Sequence, residues 1–219
     1  MHAKLLGAVR PKRILELGVF TGGSLAMSGL APTLDKVVGI ELETRPLKSL
    51  EDFISANHLS ETIQPYLGVD QADRHTLDRI METEFSGQPL DLVIDDASHL
   101  LEPTRLSFEA LFPRLRSGGV YIIEDWAAGH LADFTANAAS DTAMKRAVRL
   151  DSVKPLSILA FELTLATARN PQLFPRLEIN RHWIRITKGD SKTSFHLDDF
   201  RLAEHYVDPF GLVPRLATS

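Results

Sequence analysis

Four carboxylates and a histidine fall in two short runs of this sequence, Asp95-Asp96-Ala97-Ser98-His99 and Glu124-Asp125. Each run follows an apolar, β-type stretch, Leu90–Ile94 (LDLVI) and Gly119–Ile123 (GVYII), so both acid pairs are expected at strand ends. If those strands are neighbours, the acids share one rim, where like charges repel and burial makes ionisation harder still. A bound cation is the simplest compensation. Oxygen ligands and the absence of cysteine favour Mg²⁺ or another hard divalent cation over zinc. Successive strand residues point to opposite faces, so not every acid can reach one ion. Asp96, Glu124 and Asp125 are the expected metal ligands, with Asp95 supporting the cofactor or the loop. Asp96 and Asp125 each also suit the capping of a following turn or helix. His99, three residues beyond Asp96, is the expected catalytic base; Asp96 is the other group able to take a proton.

A second constellation lies near the start of the chain. Glu16-Leu17-Gly18-Val19-Phe20-Thr21-Gly22-Gly23-Ser24 places glycines at spacing G-x-x-x-G-G after an apolar strand. A dinucleotide fingerprint needs a glycine where Phe20 stands, because a side chain there occupies the room of a pyrophosphate. The turn instead suits close approach of a ligand without a diphosphate, such as S-adenosylmethionine. Glu41 follows Gly18 at an offset near the roughly 20 residues at which an acid meets ribose hydroxyls in nucleoside-binding α/β folds. A solvated strand-end acid reads equally well at that position.

These residues need a scaffold that brings strand ends together, and the rest of the sequence supplies one. Short apolar runs alternate with helical stretches. Strands are expected at Arg13–Leu17, Lys36–Glu41, Thr62–Leu67, Leu90–Ile94 and Gly119–Ile123. Helices are expected at Ser24–Gly29, Pro46–His58, Ala72–Glu84 and Thr104–Leu115. After Trp126 the rhythm changes to helical stretches at Ser140–Leu150 and Lys154–Arg169, then to strands at Leu177–Asn180 and Trp183–Lys188. The spacing predicts an α/β fold: a Rossmann-like, doubly wound, mostly parallel seven-stranded sheet with helices on both faces and a helical insertion after strand five. The whole chain, 1–219, reads as a single domain, with its core at about 11–126 and 176–189. The insertion spans about 127–175 and a polar tail runs from 190 to 219. Leu156, Leu159, Phe161, Leu163 and Leu165 read as packing. His130, Asp133, Phe134 and Arg146 read as a solvated face that a substrate could meet.

The glycine turn with its flanking acids resembles the cofactor region of class I S-adenosylmethionine-dependent methyltransferases. VIDDASH and LRSGGVYIIEDW resemble, more specifically, the metal-dependent O-methyltransferases of the macrocin and mycinamicin group and their cephamycin-pathway relatives. The resemblance spans about Arg13 to Trp126. It implies that Glu16 and Gly18 lie near the methionine end of the cofactor, that Phe20, Thr21, Gly22 and Ser24 belong to the same cofactor-binding turn, and that Glu41 binds the ribose. It also implies that Asp70 and Gln71 contact the adenine end and that Asp95 supports the site. Asp96, Glu124 and Asp125 would hold Mg²⁺, with His99 or Asp96 as base. Many members carry an N-terminal segment that covers the cofactor or builds the oligomer. Only twelve residues precede Arg13 here, so residues 127–175 or the tail are expected to take over that cover, and a homo-oligomer remains compatible.

Composition narrows the classes further. With 24 Lys+Arg against 29 Asp+Glu the formal charge is −5, which lacks the basic footprint of a nucleic-acid binder. Zero cysteines excludes disulfides, thiolate metal sites and a cysteine nucleophile. No apolar run approaches the roughly 18–20 residues of a membrane span, and no secretory signal opens the chain, so the cytoplasm is the expected compartment. The expected activity is methyl transfer to a hydroxyl of a small molecule, a sugar of a glycosylated natural product being the leading class. The alternatives are a catechol-like phenolic acceptor, a nicotinamide-dependent reductase or epimerase, and a non-catalytic cofactor-binding scaffold. Phe20 and the lack of a Tyr-x-x-x-Lys pair oppose the reductase.

Overall fold

The computed structural model describes residues 2–127, 154–190, 199–209, 211 and 213. Its centre is a seven-stranded sheet built from β1 (Arg13–Leu17), β2 (Lys36–Glu41), β3 (Ile63–Leu67), β4 (Leu90–Asp95), β5 (Leu115–Glu124), β6 (Arg176–Ile179) and β7 (Trp183–Thr187). The strand order is β3-β2-β1-β4-β5-β7-β6. The β1–β2, β2–β3, β1–β4 and β4–β5 pairs are parallel, whereas β7 runs antiparallel to both β5 and β6. The mostly parallel, doubly wound sheet expected from the strand–helix alternation is therefore the observed one.

Each face of the sheet carries its own core. Leu15, Leu17, Val38, Ile40, Val93, Tyr121 and Ile123 pack on one face, against α4 (Arg74–Phe85), α5 (Leu101–Leu111) and α6 (Ser157–Arg169). Ile14, Val37, Leu92, Ile94, Val120 and Ile122 line the other face. They meet Leu6 of α1 (His2–Val9), Leu25 of α2 (Gly23–Gly29) and Leu50 of α3 (Lys48–Ala56). Burial on both faces is why these strands read as continuous apolar runs.

The departures from expectation at α5, β5 and α1 each have a local reason. α5 begins at Leu101, with Pro103 in its first turn, where a missing N–H costs nothing, and it tightens to a 3₁₀ turn over Phe112–Arg114 at Pro113. β5 begins at Leu115, because Gly118 and Gly119 bond to Lys188 and carry the ladder through the turn. α1 had no expectation attached to it; eight residues with one buried side chain, Leu6, leave little periodicity to read. The expected helix at Ser140–Leu150 lies outside the described residues. Among those described, no helix is long and apolar enough to cross a membrane.

The strand order reverses between β1 and β4, and the ends of these strands are fused by backbone. Asp96 N–H donates to the Leu17 carbonyl at 2.9 Å and Gly18 N–H to the Ile40 carbonyl at 2.8 Å. Gly18 has φ +86°, and a Cβ there would stand 2.2 Å from the Asp96 carbonyl oxygen. Gly23, by contrast, has open space around its missing Cβ. Gly18→Ala is therefore expected to cost at least about 2 kcal/mol, lowering the melting temperature by roughly 4–8 °C. Gly23→Ala should leave it unchanged or raise it slightly, because alanine suits a helix better than glycine. Thermal denaturation of the two variants checks both expectations.

Candidate active site

The β1–α2 turn is held open by an acid rather than by glycine alone. Glu41, at the end of β2, accepts Val19 N–H at 3.0 Å and Phe20 N–H at 2.8 Å on Oε2, and Glu43 N–H at 3.0 Å on Oε1. Phe20 adopts φ +51°, rare for a bulky residue, and its side chain is 76% exposed. Beside this turn opens a cleft of about 670 Å³ at the carboxyl ends of the strands. Gly18, Phe20, Thr21, Ser24, Glu41, Asp70, Gln71, Asp96, His99 and Asp125 all line it, with Ser98, Leu100 and Pro103 beside them.

Four of the residues named from the sequence stand off the cleft wall. Gly22, at φ +88°, caps α2 and faces Leu50. Glu16 is only 1% exposed; its Oε1 accepts the Ser24 hydroxyl, and its Oε2 is buried without a partner. Burial pushes Glu16 up to about 7, the Ser24 bond opposing the shift and the charges of Asp96 and Glu124 adding to it. Asp95 is buried beneath the loop that follows it and accepts from Ser107 Oγ at 2.7 Å, Tyr121 OH at 3.1 Å and Gln71 Nε2 at 3.2 Å. Burial raises it to about 6 in spite of these donors.

The fourth is Glu124. Asp96, His99 and Asp125 bring one potential ligand atom each within 4.8 Å of one another, and this is the trio able to share a cation among the described residues. Glu124 lies behind them, its Oε1 facing His2 Nδ1 at 3.9 Å with no hydrogen-bond partner. Strand alternation accounts for the split: Glu124 continues the Val120–Ile122 face toward α1, and Asp125 turns into the cleft at φ +48°. Burial, followed by the charges of Asp96 and Asp125, raises Glu124 to about 7. Asp96 is raised as well, by burial and by Asp125, with His99 pulling the other way. His99 Nε2 stands 3.9 Å from Asp96 Oδ1, and His99 too is held at positive φ, +54°. Strained backbone at Phe20, His99 and Asp125 thus gathers around a single cleft.

The trio fits a divalent cation: two carboxylates and an imidazole converge where nothing cationic is fixed except a histidine. The cleft fits a nucleoside without phosphates, since the turn offers a clamped acid and close backbone approach but no basic side chain. Sequence reasoning missed Ser107 and Tyr121, the donors that hold Asp95. Tyr121 carries a usable signal, a polar tip at an inward position of a central strand, whereas Ser107 on a helix carries none. His130, Asp133, Phe134 and Arg146 lie outside the described residues.

Comparison with known proteins agrees with this geometry. A family model described as a methyltransferase domain matches residues 15–126. The chain is 36% identical over 124 residues to mycinamicin VI 2''-O-methyltransferase of Micromonospora griseorubida, covering 53% of this chain and 28% of that protein. It is 31% identical over 181 residues to demethylmacrocin O-methyltransferase of Streptomyces fradiae, covering 78% and 41%. Among solved structures, the mycinamycin-pathway methyltransferase MycE in complex with Mg and SAH superposes with a TM-score of 0.60 and 25% identity, over 86% of this chain and 48% of that one. The chain thus spans about half the length of these relatives or less.

The raised Glu16 carboxyl makes a prediction of its own. A pKa near 7, against 4.5 in the unfolded chain, means that the folded protein keeps a proton which the unfolded chain has released. The stability this group contributes is complete below about pH 4.5 and is lost as the pH rises through about 7. Glu16→Gln keeps an acceptor for Ser24 and removes the titration. Relative to the parent, its melting temperature should improve steadily from pH 4.5 to 8, which parallel thermal scans across that range would measure.

Proposed function

The chain belongs to the methyltransferase-domain family, and we propose that it is an S-adenosylmethionine-dependent, divalent-cation-assisted O-methyltransferase acting on a hydroxyl of a small molecule. The observation that carries this reading is the meeting, in one cleft, of the glycine turn clamped by Glu41 with the Asp96–His99–Asp125 trio. Both named relatives are O-methyltransferases, and the MycE complex contains Mg and SAH.

In this reading S-adenosylmethionine supplies a methyl group on a good leaving group, and the cation supplies charge stabilisation for an oxygen losing its proton. The chain supplies the rest. The turn at Gly18 admits the cofactor close to the backbone. The lone pairs of Glu41 that its three amide bonds leave free accept from ribose hydroxyls. Asp96 and Asp125 would hold the cation, with the half-buried Glu124 behind them. Nε2 of His99 takes the proton of the acceptor hydroxyl. An alcohol is a weak nucleophile at neutral pH, so holding it in line with the methyl group accounts for much of the rate. Two neighbouring hydroxyls would present two oxygens to this rim, which favours a sugar of a glycosylated natural product as acceptor.

The testing experiment pairs binding with turnover. S-adenosylhomocysteine should raise the melting temperature in a concentration-dependent way and NAD should not. Methyl transfer to a panel of glycosides and catechols should cease on chelation and return with Mg²⁺. A stabilising effect of NAD alone, or full activity after exhaustive chelation, would overturn the reading. Within it, His99→Ala should lower turnover roughly 10²–10⁴-fold. Asp125→Asn should instead weaken the response to added Mg²⁺, because an amide keeps the shape and loses the charge.

A further inference from the structure

Gln71 follows β3 in the stretch that the family resemblance assigns to the adenine end of the cofactor, yet it is only 6% exposed and its polar atoms point inward. Its Nε2 donates to Asp95 at 3.2 Å from Oδ1 and 3.3 Å from Oδ2, and to Ser107 Oγ at 3.2 Å. Its Oε1 accepts the backbone N–H of Ser98 at 3.0 Å. The orientation of the amide is determined by these partners. Turned over, it would set an oxygen against a carboxylate and an NH₂ group against an N–H. Both N–H groups are therefore committed to Asp95 and Ser107, and little remains with which to read a base.

Ser98 sits between Asp96 and His99, so the bond to its N–H fixes the middle of the loop that carries two members of the converging trio. The preceding residue in the chain, Asp70, is exposed and turns its Oδ1 to Ala72 N–H at 2.8 Å. Nothing else among the described hydrogen bonds joins residues 69–72 to residues 96–99. We propose that Gln71 is a positioning residue for the Asp96–His99 loop, bridging the β3 end of the cleft to the cation trio, rather than a contact to the nucleoside. This rests on the methyltransferase reading for its consequence in catalysis, but not for its effect on the loop.

The test uses Gln71→Met in the full chain, which keeps the length and apolar stem and removes the amide, while Ser107 and Tyr121 still donate to Asp95. Loss of one buried hydrogen bond should speed amide exchange at Ser98 about tenfold, with α4 and β4 amides unchanged. Mn²⁺ affinity should fall about tenfold and S-adenosylhomocysteine affinity stay within about threefold of the parent. kcat should fall with KM for the methyl donor unchanged. Weakened S-adenosylhomocysteine binding with unaltered Ser98 exchange and Mn²⁺ affinity would overturn the proposal and make Gln71 a nucleoside contact. If Gln71→Met does not fold, Ser107→Ala decides: it lies off the cleft, holds the same amide, and should loosen Ser98 in the same direction; unchanged exchange there overturns the bridge. Failure of the parent to bind either ligand would sink the methyltransferase reading alone, since Ser98 exchange needs no ligand.

Discussion

The approach of Gly18 to the carbonyl of Asp96 is the contact on which the site depends. Two loops from strands that are neighbours in space, but some eighty residues apart in sequence, touch through their backbones with no side chain between them. That contact sets the width of the cleft at the point where strand order reverses, which is where ligands enter open α/β sheets. It also ties the loop admitting a cofactor to the loop bearing Asp96 and His99, so the spacing between the two halves of the reaction is a property of backbone geometry. A larger residue at position 18 would separate them before it disturbed any polar group.

Around that contact the acids are compensated unequally. Asp95 has three donors, Glu16 has a single hydroxyl, and Glu124 has no hydrogen-bond partner on its buried oxygen. Asp96 and Asp125 share His99. Burying Glu16 and Glu124 with so few partners is costly, because each uncompensated group carries the cost of leaving water, and Glu16 meets that cost by holding a proton. Asp96 and Asp125 stay exposed at the cleft, where solvent or a bound cation can compensate them.

The central architecture was legible because parallel strands buried on both faces write long apolar runs, and β1 and β2 matched to the residue. The site residues were legible as chemical types at strand ends, since only backbone order is needed to bring strand ends to one rim. Side-chain direction was less so. Glu124 and Asp125 are adjacent in sequence and part company because one continues the pleat and the other leaves it at positive φ, a choice no spacing rule encodes. Gln71 was expected at the adenine end of the cofactor, and its inward role left no trace in the spacing because its partners, Asp95, Ser107 and Ser98, come from two other segments. Glu41 was legible as an acid near the cofactor turn, but not as the acceptor that holds that turn together.

The antiparallel hairpin at the sheet edge has a further consequence. Asp125 N–H bonds to the His182 carbonyl at 2.8 Å, and Trp126 Nε1–H to the Asn180 carbonyl at 2.7 Å. The chain is thus fastened where it leaves β5 to the very turn through which it comes back between β6 and β7. Asp125 is therefore held from outside the cleft: an antiparallel edge that contributes no residue to the lining of the site fixes where one member of the converging trio stands.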